Sequence, residues 1–125
     1  MHYEIGQRLA PLRDEGILII GSGNLIHNLR AYAWGQHDVQ PYDWALRFEQ
    51  QAHNLMEAHH HAPLIAYETL GRDAQLSIPT PEHYLPLLYV LGLRRAGEPI
   101  NFPIAGIEGG SISMLAVQFG LSALG

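Results

Sequence analysis

Two histidines sit in sequence settings where imidazole chemistry is commonly built. His27 follows an aliphatic run and a glycine-rich turn in Gly21-Ser22-Gly23-Asn24-Leu25-Ile26-His27-Asn28-Leu29-Arg30. With an ordinary pKa of about 6.5, an imidazole there can serve as acid, base or metal ligand. It can equally do no more than hydrogen-bond the loop backbone. His83 lies in Pro79-Thr80-Pro81-Glu82-His83-Tyr84-Leu85-Pro86-Leu87, where two prolines fix the approach to the next element. A rigid approach leaves a side chain little freedom to lose on binding, which suits a metal or catalytic site. The plainer alternative makes Thr80 a helix cap and His83 a first-turn residue without a chemical task.

Other groups carry weaker signals. His59, His60 and His61 follow His53 and Glu57, and residues four apart share a helix face. Three consecutive histidines, however, point in three directions on a helix, and histidine near a helix C-terminus is favourable with or without a metal. A solvated face is the expectation for that run. Gly21-Ser22-Gly23-Asn24 offers backbone N–H groups that can cradle phosphate, but the sixth position of a G-x-G-x-x-G frame is Ile26 and no Gly-Lys-Ser/Thr is present. The Gly-x-Ser-x-Gly frame of a nucleophile elbow fails too, because Ile20 and Asn24 flank Gly21-Ser22-Gly23. Glu49, Glu57, Glu68 and Asp73 show no partner in the sequence and read mostly as solubilising.

The elements that must position these groups follow from periodicity. Residues 3–12 place Ile5, Leu9 and Leu12 on one helical face, with Pro11 shortening the last turn. Ile17-Leu18-Ile19-Ile20, bounded by glycines, has the pattern of a strand buried on both faces of a mostly parallel sheet. Ligands collect at the ends of such strands, which is where His27 falls. Residues 42–59 read as a long amphipathic helix with Trp44, Ala45, Phe48, Ala52, Leu55 and Met56 on one side and Asp43 in its first turn. Residues 62–70 read as a short helix begun through Pro63 and closed by Gly71-Arg72-Asp73, residues 77–82 as extended, and residues 82–91 as a helix. Two β-like runs, 100–104 and 111–119, flank a glycine-rich stretch at 106–110. The expected fold is α/β, a mostly parallel or mixed central sheet flanked by helices, in one domain over residues 1–125.

Composition narrows the function classes. At 125 residues, such a chain buries roughly two-thirds of its unfolded surface, enough for one core. Twelve acidic residues against 7 basic ones give a formal charge of −5, which argues against nucleic acid or an anionic membrane held through net field. Without cysteine there is no thiolate nucleophile, disulfide or Cys-ligated metal, so His, Asp and Glu are the strong ligands left. The start Met1-His2-Tyr3-Glu4 lacks a signal-peptide pattern, and residues 84–93 are about half the ~20 apolar residues that a membrane span needs. A cytoplasmic protein is the expectation.

Taken with Gly110-Ser111-Ile112-Ser113-Met114, the two histidine segments, the first extended back to Gly16, resemble the 4,5-DOPA extradiol dioxygenase group of the class III extradiol ring-cleavage dioxygenases. The resemblance runs along essentially the whole chain, in the family's order. It implies an α/β enzyme with a non-haem divalent metal, Fe(II) or Zn(II), that opens a catechol ring beside its two hydroxyls with O₂. It makes His83 a metal ligand, and His27 either a further residue at the metal or the acid/base beside it.

The chain has roughly half the family's length and corresponds to its C-terminal half. The resemblance places two further ligating histidines in the other half. His2, His37, His53, His59, His60 and His61 match none of the family's ligand positions. Three arrangements follow: a fragment or split-gene product of a dioxygenase, one part of an assembly completed by another chain, or an inactive domain using its surplus histidines for another metal. The first two imply a small catechol and O₂ as partners, together with a complementing N-terminal half or a homo-oligomer. Surface otherwise covered by the other half would favour self-association.

Overall fold

In the computed structural model, which describes residues 1–36 and 38–120, the first helix is α1 (His2–Leu9) and it tightens into a 3₁₀ turn over Ala10–Glu15. Pro11 accounts for the change, since it has no N–H for an α-helical bond. Gly16 ends the turn at φ 77°, a left-handed conformation that glycine adopts without strain. His37 lies outside the described residues.

The long amphipathic helix forms as α2 (Asp43–Glu57), burying Ala45, Phe48, Ala52 and Met56 on the face that their spacing marks. A short α3 (Ala62–Ile65) carries Pro63 in its first turn, and a 3₁₀ turn over Tyr67–Thr69 follows. Then comes α4 (Arg72–Ser77), where the sequence reading placed only a closing turn. Two features hold this short helix: Ala74 and Ser77 are buried, and Arg47 of α2 grips Asp73 with two hydrogen bonds of 2.8 and 2.9 Å. The segment after it, through Pro79 and Pro81, leads into α5 (Leu85–Gly92).

α1 lies against α5 with backbones in near contact. A methyl group at Gly6 would strike the Tyr89 carbonyl, and one at Gly92 would strike the Tyr3 carbonyl, so neither position accepts a side chain. The core gathers Ile26, Phe48, Met56, Leu64, Tyr84 and Leu91, all essentially inaccessible. The Tyr84 hydroxyl reaches the Leu64 carbonyl at 2.6 Å, which satisfies the polar end of an otherwise apolar burial. No helix among the described residues is long and apolar enough to cross a membrane.

The strands are β1 (Ile100–Ile104), β2 (Ile107–Glu108), β3 (Ile112–Ser113) and β4 (Ala116–Phe119). β1 pairs with β4, and β2 with β3, both antiparallel. The register of the first pair slips between Asn101 and Ile104, where Pro103 has no N–H to offer the ladder. The α/β class is thus borne out by helices with sheets, but the sheet differs from expectation. Every strand pair among the described residues is antiparallel and two-stranded, and no mostly parallel or mixed central sheet forms around residues 17–20. That run pairs with nothing described, and Ile17, Leu18 and Ile20 are 46%, 82% and 79% exposed. Its composition asks for burial on both faces; the neighbours that would provide it are not among these residues.

Candidate functional site

The segment 24–28 threads through the middle of the fold and is fastened on three sides. Toward α4, the His27 N–H donates to the Ser77 carbonyl at 3.0 Å and Asn28 Nδ2 to the Leu76 carbonyl at 2.8 Å. Toward β3, Ser113 N–H donates to the Ile26 carbonyl at 2.9 Å, Asn28 N–H to the Ser111 carbonyl at 3.1 Å, and the Ser111 hydroxyl to the Asn28 carbonyl at 2.7 Å. Toward α5, Asn24 N–H donates to the His83 carbonyl at 2.7 Å, while Asn24 Nδ2 reaches back to the Ser113 carbonyl at 2.8 Å. Asn24 therefore joins the backbone that carries His27 to the turn that carries His83.

The glycines beside it explain the close approach. A methyl at Gly23 would collide with the His83 carbonyl, and one at Gly21 would press on Pro86 and Val90. Gly21-Ser22-Gly23-Asn24 is shaped to lie on the start of α5.

His83 sits in the turn that Tyr84 and Leu85 close by donating their N–H groups to the Pro81 carbonyl, both at 2.9 Å. No side chain caps α5; the Thr80 hydroxyl instead holds Glu82 at 2.8 Å, contrary to the capping alternative. The rings of His27 and His83 stack with centroids 3.6 Å apart and planes 19° apart. Burial, and after it the neighbouring His83, lower the pKa of His27 below the usual imidazole value. Its own backbone and the Glu82 carboxylate pull the other way. The side chain of His83 is 40% exposed, with its Nε2 3.9 Å from Glu82, and it borders a groove of about 630 Å³ that runs past Asn24, Leu87 and Met114.

The remaining histidines divide by burial. His59 and His60 are exposed, as a solvated run requires, but His61 is buried, which the sequence reading missed. Its Nδ1 is 3.0 Å from the Tyr3 hydroxyl and its Nε2 has no hydrogen-bond partner. Burial, with lesser contributions from His59, Arg94 and His60, pushes its pKa down to about 4. His53 stacks on Phe102 at 3.9 Å. Glu49, read as solubilising, receives the Ser113 hydroxyl at 2.5 Å, a partner 64 positions away. Among the described residues, no three His, Asp or Glu side chains are placed to share an ion.

The chain matches no protein-family model. It is 50% identical over 125 residues to the 4,5-DOPA dioxygenase extradiol of Escherichia coli (strain K12), a match that covers 95% of the chain and 44% of that protein. With the protein of the same name from Beta vulgaris it shares 38% identity over 118 residues, covering 94% of the chain and 43% of the relative. For the one from Portulaca grandiflora the identity is 34% over 92 residues, or 73% of the chain and 33% of the relative. Its fold superposes on the crystal structure of an uncharacterized protein from Escherichia coli K12 with a TM-score of 0.87 and 48% identity, over 95% of the chain and 49% of that structure. The chain spans about half the length of the curated relatives it matches.

Proposed function

Because this chain is a homologue of the C-terminal half of the 4,5-DOPA extradiol dioxygenases, we propose that it carries one part of a ring-opening site for a catechol such as DOPA, with O₂ as second substrate. The observation that supports this is the stack of His27 on His83, two imidazoles far apart in the sequence, of which His83 lines an open groove.

The pair suits a non-haem divalent metal in part. Imidazole is a good ligand for Fe(II) or Zn(II), and an ion bound at a ring nitrogen lies in the plane of that ring. Two rings stacked with planes 19° apart do not aim at a common point, which favours one ligand rather than two. His83, on the groove, is the ligand in this reading, and the other ligands come from outside the described residues. An ion held there would supply open coordination positions for the two substrates. His27, fixed through its backbone to Ser77 and Ile112, takes a proton from a catechol hydroxyl and later returns one to the opening ring. The histidine run gives no support to a separate metal module, since His61 Nδ1 is engaged by Tyr3.

The test joins these 125 residues to the unmatched half of the Escherichia coli relative as a chimaera and follows the absorbance of ring-opened DOPA with Fe(II) and O₂. His83→Ala should lower Fe(II) affinity by more than roughly tenfold and abolish turnover. His27→Ala should keep Fe(II) affinity and lower kcat by roughly 10²–10⁴. Equal loss of affinity in both variants would make His27 a ligand, and a chimaera indifferent to both substitutions would overturn the reading.

A further inference from the structure

We infer that Glu49 is a positioning residue for the stacked histidines: its carboxylate fixes the Ser113 hydroxyl, and Ser113 fixes the backbone that carries His27 and, through Asn24, the turn that carries His83. What this positioning serves rests on the proposed function; the contacts themselves rest on the structure.

Ser113 is the junction. It is 1% exposed, and its N–H, carbonyl and hydroxyl are all engaged. The N–H donates at 2.9 Å to the Ile26 carbonyl, in the peptide that joins Ile26 to His27. The carbonyl accepts Asn24 Nδ2 at 2.8 Å, and the Asn24 N–H continues to the His83 carbonyl at 2.7 Å. Ile112, beside Ser113, forms a bridge with His27 itself. One residue therefore stands a single hydrogen bond from the backbone of His27 and two from that of His83.

The hydroxyl has one proton, and the geometry decides where it goes. Leu115 N–H donates to Ser113 Oγ at 3.1 Å, so the oxygen is an acceptor on that side. Its proton is left for Glu49 Oε1, 2.5 Å away, and hydroxyl-to-carboxylate bonds of this length are among the strong ones. The hairpin needs such an anchor. β2 and β3 have two residues each, and a two-stranded pair that short does not hold its place in water unaided. Glu49 ties it to α2, whose Ala45, Phe48 and Ala52 are fully buried, so the anchor point belongs to the packed core. Among the described residues no basic side chain pairs with Glu49, so an ion pair does not account for this carboxylate. Rings keep a reactive geometry when the residues behind them are held, and a displacement of about 1 Å can cost a factor of ~10² in rate.

The experiment reads the stack directly, in the 125-residue chain, by proton NMR of its 8 histidines. Two imidazoles face to face shift each other's carbon-bound protons upfield and cross-relax across the gap. In the parent, the His27 and His83 signals are expected upfield of those of exposed His60, with a cross-peak between the two rings. Glu49→Ala and Ser113→Ala should lose the cross-peak and return both signals to the position of His60, while the helical circular dichroism persists. Glu49→Gln, which keeps an acceptor oxygen in the same place, should retain the cross-peak. Should Glu49→Ala not fold, Glu49→Asp, which withdraws the carboxylate by one methylene, gives the same reading. In the chimaera with the Escherichia coli relative, Glu49→Ala should lower kcat roughly 10- to 100-fold and Glu49→Gln should return most of it.

Alanine variants that lose stability with the cross-peak and both signals unchanged would make Glu49 an ordinary structural contact and overturn the inference. So would a Glu49→Gln variant indistinguishable from Glu49→Ala, since the carboxylate would then act by its charge and not by holding the hydroxyl. A chimaera that opens no catechol counts against the proposed function alone, because the stack is read without turnover.

Discussion

Phe48 on α2 and Leu18 on the extended segment are both large apolar residues in strongly patterned runs, yet one is fully buried and the other 82% exposed. The difference lies in where the partners are. The face of α2 meets α4 and the Tyr84 region within this chain, so its helical periodicity is answered locally and closed into a core. The pattern at 17–20 is equally clear, but a strand buried on both faces needs neighbours on two edges and cover on two sides, and no described strand pairs with either edge while Leu18 and Ile20 stay exposed. An apolar pattern thus states a demand for burial without saying which polypeptide meets it.

The widest separation between the two regions should come from truncating the core. Phe48→Ala removes a fully buried ring at the centre of the α2 contacts and should cost about 3–5 kcal/mol of stability. The midpoint of urea unfolding reads the effect. A loss below about 1 kcal/mol would mean that the helical region is not a packed core and that the contrast with 17–20 is one of degree.

A second effect, smaller, belongs to the same packed region. His61 is buried neutral against Tyr3 with a pKa near 4, against 6.5 for a free imidazole. The folded-state value lies below the unfolded one, so the unfolded chain binds more protons between these two values. Stability is then full above about pH 6.5 and falls as the pH drops toward 4, by at most about 3 kcal/mol. Urea unfolding at a series of pH values should show this slope, and His61→Gln should flatten it. An unchanged slope in the variant would assign the acid sensitivity to carboxylates such as Glu98, whose pKa is lowered mainly by its bond to Arg13.

Legibility in the sequence followed the same division between local and distant partners. The amphipathic helix at 43–57, the shortening of α1 at Pro11 and the turn at Gly71 depend on nearby residues, and all of them were readable. His27 and His83 were readable as candidates, and the fold brings them together. What brings them together was not: Gly23 reads as a generic turn residue until the His83 carbonyl is known to lie against it, and Asn24 as a polar loop residue until its two carbonyl partners are seen. The burial of His61 depends on Tyr3, 58 positions away, and α4 is steadied by Arg47, 26 positions from Asp73. No local periodicity encodes such pairs.

The smallest effect is also the sharpest discriminator. Leu18→Lys places a charge on a side chain already 82% exposed, on a stretch, residues 18–23, whose backbone makes no hydrogen bond with the described residues. In the isolated chain there is no packing to lose and no desolvation to suffer, so stability should stay within about 0.5 kcal/mol of the parent. Self-association through exposed aliphatic surface should fall, because lysine on an open edge is a common guard against strand pairing. Urea unfolding and light scattering at rising concentration measure the two quantities on the same samples. A loss above about 1.5 kcal/mol would show that Leu18 already contributes to the core of this chain in solution, a cost of the size that only buried residues produce. The distinction between a region that closes on itself and one that awaits a partner would then disappear.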